Sequence, residues 1–225
     1  MALKLGDTAP DFTADSSHGQ LSFHKYIEGS WAILFSHPAD FTPVCATELG
    51  AVAKFQPEFE KRGVKVIALS MDDVESHKGW IADVESCTPG AKVSYPIVAD
   101  PTRELAVRFG MMDPEYSDAK GAPLTARAVF VFGPDKTLKL SILYPVNVGR
   151  NFHELLRVID ALQLAATFGV LTPVNWNHGD KCMVLPTLSD EAAKKKHNSF
   201  ETVEVPSGKG YMRFTPQPNV GRAQV

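Results

Sequence analysis

The sequence contains only three cysteines among its 225 residues, and their arrangement excludes two classes of protein. Cys45, Cys87 and Cys182 lie far apart, and no C-x-x-C pair occurs. An odd number of isolated cysteines argues against a disulfide framework and against a zinc ribbon. The seven histidines form no H-x-x-x-H pair or mixed Cys/His cluster, so we predict neither a metal nor an organic cofactor.

An excess of positive charge and long apolar runs are also missing. The 23 lysines and arginines against 26 acidic residues give a net charge of -3, which argues against nucleic-acid binding. No stretch approaches the roughly 20 apolar residues that a membrane-spanning helix needs. The N-terminus, MALKLGDTAPDF, lacks the charged start and apolar run of a signal peptide, so we expect a cytoplasmic protein.

Short apolar runs alternate with helical periods, which predicts an α/β fold whose strands are buried on both faces. The strongest strand predictions are Trp31–Ser36, Val64–Ser70, 128–132 and Leu138–Tyr144. The turn residues GPDK between the last two runs predict that these strands form an antiparallel hairpin.

Apolar spacing predicts helices between and after these strands. The apolar residues of 49–59 predict a helix that the interior Pro57 should kink or break. The clearest amphipathic pattern begins at Phe152, with Asn151 as the expected N-cap and Glu154 three residues later.

Several prolines interrupt the chain after Gly169, so we predict a main domain of residues 1–170 and a smaller C-terminal domain of residues 171–225. Only 188–196 has a helical pattern within the smaller domain. Its three consecutive lysines, 194–196, suit a solvated helix C-terminus, although a phosphate or partner site stays an alternative.

The segment FSHPADFTPVC, directly after the first predicted strand, carries the strongest chemical signal. Thr42 is a good N-cap and Pro43 suits the first helical position, which places Cys45 in the first turn of a helix. Free backbone N–H groups and the helix dipole favour a thiolate there. The alternative is an inert buried cysteine, because free cysteines are among the most buried residues.

Three neighbours of Cys45 add functional groups. The hydroxyl of Thr42 can accept from a backbone N–H while it donates to sulfur or to an incoming oxygen. Pro38 restricts the backbone, and His37 supplies a proton donor or acceptor near neutral pH.

The pattern Pro38-x-x-x-Thr42-x-x-Cys45, within FSHPADFTPVCATELG, resembles the active-site motif of the one-cysteine peroxiredoxins, the peroxiredoxin 6 class. The resemblance continues through KVIALSMDD, TARAVFVFGPDKTLKLSILYPVNVGRNF, TPVNWNHGDKCMVLPT and PSGKGYMRFTPQP. It implies a thioredoxin-like α/β domain with an added N-terminal β-hairpin, a smaller C-terminal domain, and a homodimer.

The resemblance also implies roles for individual residues. Cys45 would attack the O–O bond of hydrogen peroxide or of an organic hydroperoxide, lipid hydroperoxides included, while Thr42 and Arg127 orient the peroxide and stabilise the thiolate. A guanidinium such as that of Arg127 suits this task, because peroxide cleavage places negative charge on the departing oxygen.

Four further positions match supporting residues of the family. The residue matching Pro38 shields the pocket, and the one matching His37 lies beside the sulfur. Glu48 and Arg150 match positions that support the active-site arginines. Without the resemblance, both are helix-end charges at the surface.

The remaining cysteines bear on how an oxidised Cys45 is reduced. Cys182 lacks the Val-Cys-Pro context of a resolving cysteine, so we expect it not to resolve, with an accessory or intermolecular role as the alternative. Cys87 is expected to be incidental. The resemblance therefore implies an external reductant, glutathione delivered by a glutathione S-transferase, or else thioredoxin or ascorbate.

Members of this class are also described as phospholipases A2 that use a serine, a histidine and an aspartate. The matching residues are Ser30, His24 and Asp135. The serine lies in Glu-Gly-Ser-Trp-Ala, which lacks both glycines of the Gly-x-Ser-x-Gly elbow. We predict weak or absent phospholipase activity.

The main functional hypothesis is a thiol-dependent peroxidase with Cys45 as nucleophile. The alternative is a sensor or redox-regulated holdase that uses oxidation of Cys45 as a switch. A disulfide oxidoreductase is disfavoured because C-x-x-C is absent.

Overall fold

The computed structural model describes residues 3–219; residues 1–2 and 220–225, at the ends of the two predicted domains, lie outside the described part. The chain forms two compact units, the first ending at Phe152 and the second beginning at His153. This division falls after the first residue of the long helix Phe152–Phe168, whereas the predicted domain boundary at 170/171 follows that helix. The boundary stays a prediction.

The strands of the first unit are β1 (Thr13–Ser16), β2 (Gly19–Ser22), β3 (Trp31–Ser36), β4 (Val64–Ser70), β5 (Ile97–Ala99), β6 (Met112–Ser117), β7 (Pro123–Thr125), β8 (Arg127–Phe132) and β9 (Leu138–Tyr144). Its helices are α1 (Phe23–Tyr26), α2 (Pro43–Lys61), α3 (Val74–Cys87) and α4 (Glu104–Phe109).

Seven strands form one mixed sheet in the order β2-β1-β5-β4-β3-β8-β9. β3 is parallel to β4 and antiparallel to β8, and both β3 and β8 are buried almost throughout. The predicted α/β class, with strands buried on both faces, is confirmed. The predicted hairpin is present as β8 and β9, and the N-terminal hairpin as β1 and β2.

The helix predicted between the first two strands is α2, and Pro57 does not break it. Pro57 is exposed, while Leu49, Val52 and Phe59 are buried. Burial of this apolar face holds the helix together across the hydrogen bond that proline cannot donate. The connection 37–42 joins the C-terminal end of β3 to the N-terminus of α2.

The long helix α5 (Phe152–Phe168) starts where the sequence predicts, and all of it except Phe152 belongs to the second unit. That unit also contains β10 (Val170–Leu171), β11 (Cys182–Val184), α6 (Asp190–His197), β12 (Glu201–Thr202) and β13 (Arg213–Thr215). The strands pair in the order β10-β11-β13-β12. A small core of Ala161, Leu164, Val170, Trp176 and Cys182 packs within this unit. The lysines of 194–196 are exposed in the last turn of α6, as a solvated helix end requires.

Among the described helices, none combines the length and the hydropathy needed to cross a membrane.

Candidate active site

Cys45 lies in the first turn of α2, where the sequence predicts it. Thr42 is the N-cap residue with extended backbone, and Pro43 is the first helical residue. The side chain of Cys45 is fully buried, at 0% exposure. The unpaired N–H groups and the positive end of the helix dipole at this turn both favour a negatively charged sulfur.

A buried arginine contacts this sulfur. Nη1 of Arg127, at the first position of β8, donates to Sγ of Cys45 at 3.3 Å and to Oε2 of Glu48 at 2.8 Å. Nε of Arg127 donates to the carbonyl oxygen of Val146 at 2.8 Å, which holds the guanidinium from its other side. A permanent positive charge therefore lies against the sulfur, and its position is set by two further partners.

Glu48 links Arg127 to a second buried arginine. Nη2 and Nε of Arg150 donate to the two carboxylate oxygens of Glu48 at 2.6 and 3.0 Å, and the Arg150 backbone N–H adds a third bond at 2.8 Å. Burial alone would raise the pKa of Glu48, but the charges of Arg150 and Arg127 lower it below its usual range. Glu48 and Arg150 are therefore buried supports of Arg127, and the reading of them as surface charges is wrong.

The contacts of Thr42 differ from the expected ones. Its hydroxyl donates to the carbonyl oxygen of Ala39 at 2.8 Å, and it accepts no capping hydrogen bond. The lone pairs of Oγ1 are thereby left available as acceptors toward an incoming hydroxyl group. Pro38 is buried in the same turn.

His37 belongs to a buried polar network that no pattern in the sequence predicts. Nε2 of His37 lies 2.8 Å from Oδ1 of Asp40, and Nδ1 of His77, on α3, lies 2.7 Å from Oδ2 of the same carboxylate. Both histidines are 0% exposed. The ring of Trp80 packs against that of His37, with 5.3 Å between the two ring centroids. Asp40 follows His37 by three residues, but His77 lies 37 positions after Asp40, so no local sequence signal links the two.

The same region contains one group of potential metal ligands among the described residues. His37, Asp40 and Asp72 offer ligand atoms within 4.8 Å of one another. Direct hydrogen bonds already use these atoms, because Asp40 accepts from histidine and Asp72 accepts from Asp40 N and Ser70 Oγ at 2.8 and 2.7 Å. The donor set therefore fits a hydrogen-bond network better than an ion site.

The other two thiols lie in different surroundings. Cys87 is exposed in the last turn of α3. Cys182 is fully buried in the core of the second unit, and burial raises the pKa of its thiol. A buried thiol that resists ionisation is a poor nucleophile.

The three residues expected to match a lipase triad each form hydrogen bonds with residues outside that triad. Ser30 Oγ contacts the carbonyl oxygen of Glu28 at 3.5 Å, and His24 Nε2 contacts that of Ala9 at 2.7 Å. Asp135 bonds Lys139 at 2.7 Å. Within residues 3–219, no hydrogen bond joins Ser30, His24 and Asp135.

We expect Ser30→Ala to leave phospholipid hydrolysis at the background level of the parent protein. Among the described residues Ser30 has no hydrogen bond to His24 or Asp135, and its sequence lacks the nucleophile elbow. The measurement is release of fatty acid from phosphatidylcholine vesicles, with a buffer blank and the parent protein in parallel. Hydrolysis by the parent that disappears in Ser30→Ala would contradict the prediction.

Two family models match the chain, one in each unit. The AhpC/TSA family model matches residues 5–141, and the model for the C-terminal domain of 1-Cys peroxiredoxin matches residues 161–199.

Several known proteins are similar to this chain over nearly its full length. Peroxiredoxin-6 of Gallus gallus is 57% identical over 220 residues, which span 96% of this chain and 98% of the relative. The crystal structure of a cysteine-to-serine mutant of peroxiredoxin 6 from Arenicola marina is 56% identical, with a TM-score of 0.93 over 96% of this chain and 99% of the other. A yeast mitochondrial 1-Cys peroxiredoxin, solved to explain thiol resolving via the glutathione/thioredoxin systems, is 44% identical, with a TM-score of 0.87 over 95% and 99%.

These likenesses confirm the thioredoxin-like fold. They also identify the chemistry as that of peroxidases that use a cysteine and an external thiol, without a prosthetic cofactor. Because the family models match both units and the relatives match along nearly their whole length, the chain belongs to the one-cysteine peroxiredoxins, in the peroxiredoxin 6 class.

Proposed function

We propose that Cys45 is the peroxidatic cysteine. The observation that carries this proposal is the 3.3 Å contact between Arg127 Nη1 and Cys45 Sγ at the first turn of α2. The thiolate attacks one peroxide oxygen and the O–O bond breaks. The departing oxygen takes the bonding electrons and a proton to become water or an alcohol, and the sulfur becomes a sulfenic acid.

The substrates we propose are hydrogen peroxide and organic hydroperoxides, lipid hydroperoxides included. Phe41 supports the organic part of this range, because it directly precedes Thr42 and its apolar side chain is 61% exposed. Phe41 also has a positive φ of 53°, an unfavourable conformation for a phenylalanine. The fold thus holds an exposed aromatic ring next to the start of α2, where an alkyl chain can contact it.

We propose glutathione, delivered by a glutathione S-transferase, as the reductant of the sulfenic acid, with thioredoxin or ascorbate as alternatives. The surroundings of Cys182 support an external thiol, because this cysteine is buried and poorly ionised. Such turnover serves antioxidant defence and redox homeostasis in the cytoplasm, the location we propose.

We also propose that the protein is a homodimer. β9 lies at the edge of the seven-stranded sheet, and Leu143 on that strand is 59% exposed. An edge strand with an exposed apolar side chain is a ready surface for a second copy of the chain.

The recycling proposal is tested by following peroxide consumption with glutathione plus its transferase, and separately with a thioredoxin system. We expect many turnovers per Cys45 with glutathione, and equal turnover in Cys87→Ser and Cys182→Ser. These two variants are matched controls, since each removes one thiol that the proposal does not use.

Two results would contradict it. Consumption that stops after one equivalent of peroxide with every reductant would favour the sensor hypothesis. Loss of turnover in Cys182→Ser, together with loss of an intersubunit disulfide on non-reducing gels, would make Cys182 the resolving cysteine.

A further inference from the structure

The buried network around Asp40 is a hydrogen-bonded chain that runs from α3 to the turn before α2. Asp40 accepts from one ring nitrogen of His37 and one of His77, and its Oδ2 also accepts from Ser76 Oγ at 2.8 Å. The side chain of Asp40 is 1% exposed. Burial would raise its pKa, but the hydrogen bonds from His37 and His77 lower it well below the usual range, so Asp40 is a carboxylate.

An ionised carboxylate only accepts hydrogen bonds, so the nitrogens that face it must carry the hydrogens. His37 therefore has its proton on Nε2, and His77 has its proton on Nδ1. Burial lowers the pKa of His37, although Asp40 opposes this effect. In the neutral ring, Nδ1 of His37 is an acceptor without a hydrogen.

The groups that face His37 come from three parts of the first unit. Asp40 lies on its own turn, His77 and Trp80 lie on α3, and Asp72 lies after β4. His37 Nδ1 is buried and has no hydrogen-bond partner among the described residues. His77 Nε2 is also buried and has no partner there. An unpaired buried acceptor is costly, so a hydrogen bond from a bound molecule would stabilise it.

His37 lies at the sheet end that carries the Cys45 contact. Its carbonyl oxygen accepts from Thr125 Oγ1 at 2.9 Å, and Oγ of the preceding Ser36 bonds Ala126 O and Ala128 N. The chain that contains Arg127 therefore runs directly alongside Ser36 and His37.

We propose that Asp40 and His77 are positioning residues for peroxide reduction, because they hold His37 with its proton on Nε2 and keep Nδ1 as a hydrogen-bond acceptor. The donor to Nδ1 is the hydroxyl group of the peroxide or of the sulfenic acid formed at Cys45. No covalent bond to His37 forms, and no proton leaves it. This proposal rests on the proposed role of Cys45.

Asp40→Asn tests the proposal because it reverses the hydrogen bond to His37. Two donors, His77 Nδ1 and Ser76 Oγ, converge on Oδ2, so the amide oxygen of the asparagine must take that place. The amide NH₂ then faces His37 Nε2 and requires it to accept, which moves the ring proton to Nδ1. The volume of the side chain hardly changes, so packing is preserved.

The tautomer is read by NMR of the reduced protein labelled with ¹⁵N-histidine, with the His37 signals assigned by their absence in His37→Gln. We expect the Nε2–H form in the parent and the Nδ1–H form in Asp40→Asn. Asp83→Asn, an exposed change on α3, is the matched control and should give the parent spectrum. An Nδ1–H form in the parent would overturn the proposal.

Stopped-flow oxidation of Cys45 by hydrogen peroxide gives the functional readout. We expect the rate constant to fall about 100-fold in Asp40→Asn and to stay at the parent value in Asp83→Asn. A changed tautomer with an unchanged rate would refute the positioning role. A reduced rate with an unchanged tautomer would show that Asp40 does not act through the proton position on His37, which also refutes it.

Variants of His77 distinguish the effect of its hydrogen bond to Asp40 from the effect of its side-chain volume. His77→Asn keeps a donor near the place of Nδ1 and should retain the rate within about twofold, whereas His77→Leu should lose about tenfold. Equal rates in the two variants would refute a role for the His77 hydrogen bond. A parent protein that reduces no peroxide would refute the proposed function and this proposal with it; an active parent with an equally active Asp40→Asn refutes only this one.

Discussion

Cys45→Ser is expected to lower the rate of peroxide consumption by about 10⁴-fold or more, with glutathione and its transferase present in excess. A serine hydroxyl remains protonated near neutral pH, and neither the first turn of α2 nor Arg127 changes that. The fold should be kept, because one oxygen replaces one sulfur at a buried site. The measurement is peroxide consumption by the parent and variant proteins, with circular dichroism to check folding.

Cys87→Ser is the appropriate control for this experiment, because it makes the same chemical change at an exposed thiol. It should consume peroxide at the parent rate. Full activity in Cys45→Ser would refute the assignment of the nucleophile, whatever reductant is used.

Arg127→Lys is expected to slow oxidation of Cys45 by about 10² to 10³-fold, a loss of about 3 to 4 kcal/mol of transition-state stabilisation. The guanidinium bonds Cys45 Sγ, Glu48 and the Val146 carbonyl oxygen at once. A lysine ammonium keeps the charge but cannot hold the same planar arrangement, so the departing oxygen loses an oriented donor. The rate constant is measured by stopped-flow with hydrogen peroxide.

Arg108→Lys provides the control, because Arg108 is exposed on α4 and donates to a backbone carbonyl oxygen. It should react at the parent rate. If Arg127→Lys also reacted at the parent rate, charge alone would suffice, and the oriented contact of Arg127 with Cys45 would have no role in the reaction.

The central strands could be predicted from the sequence because each is a continuous apolar run. β3, β4 and β9 have the predicted bounds, and β8 begins one residue earlier, at Arg127. The short strands β1, β2 and β5 leave no comparable pattern, since strands of three or four residues carry too few side chains to show a period. Strand order was likewise unpredictable, because pairing depends on contacts between distant parts of the chain.

The residues of the active site likewise fall into those that local sequence predicts and those that it does not. The helix start at Thr42 and Pro43 is a local signal, and it placed Cys45 correctly. Glu48 and Arg150 are 102 residues apart, so their pairing could be inferred only from the family resemblance. Asp40 lies within the active-site segment, but nothing in the sequence pairs it with His77, and only the fold brings the two together.

The two arginines and Glu48 also determine how well the pocket tolerates each state of the sulfur. With a thiolate at Cys45, the two buried positive charges are matched by two negative ones, so the cluster is neutral. Oxidation to an uncharged sulfenic acid leaves one positive charge without a counterion in a site that is shielded from water. Such an imbalance is unfavourable in the protein interior. The reaction proposed for Cys45 would thus leave a pocket that attracts an anion, and the thiolate of an incoming reductant is such an anion.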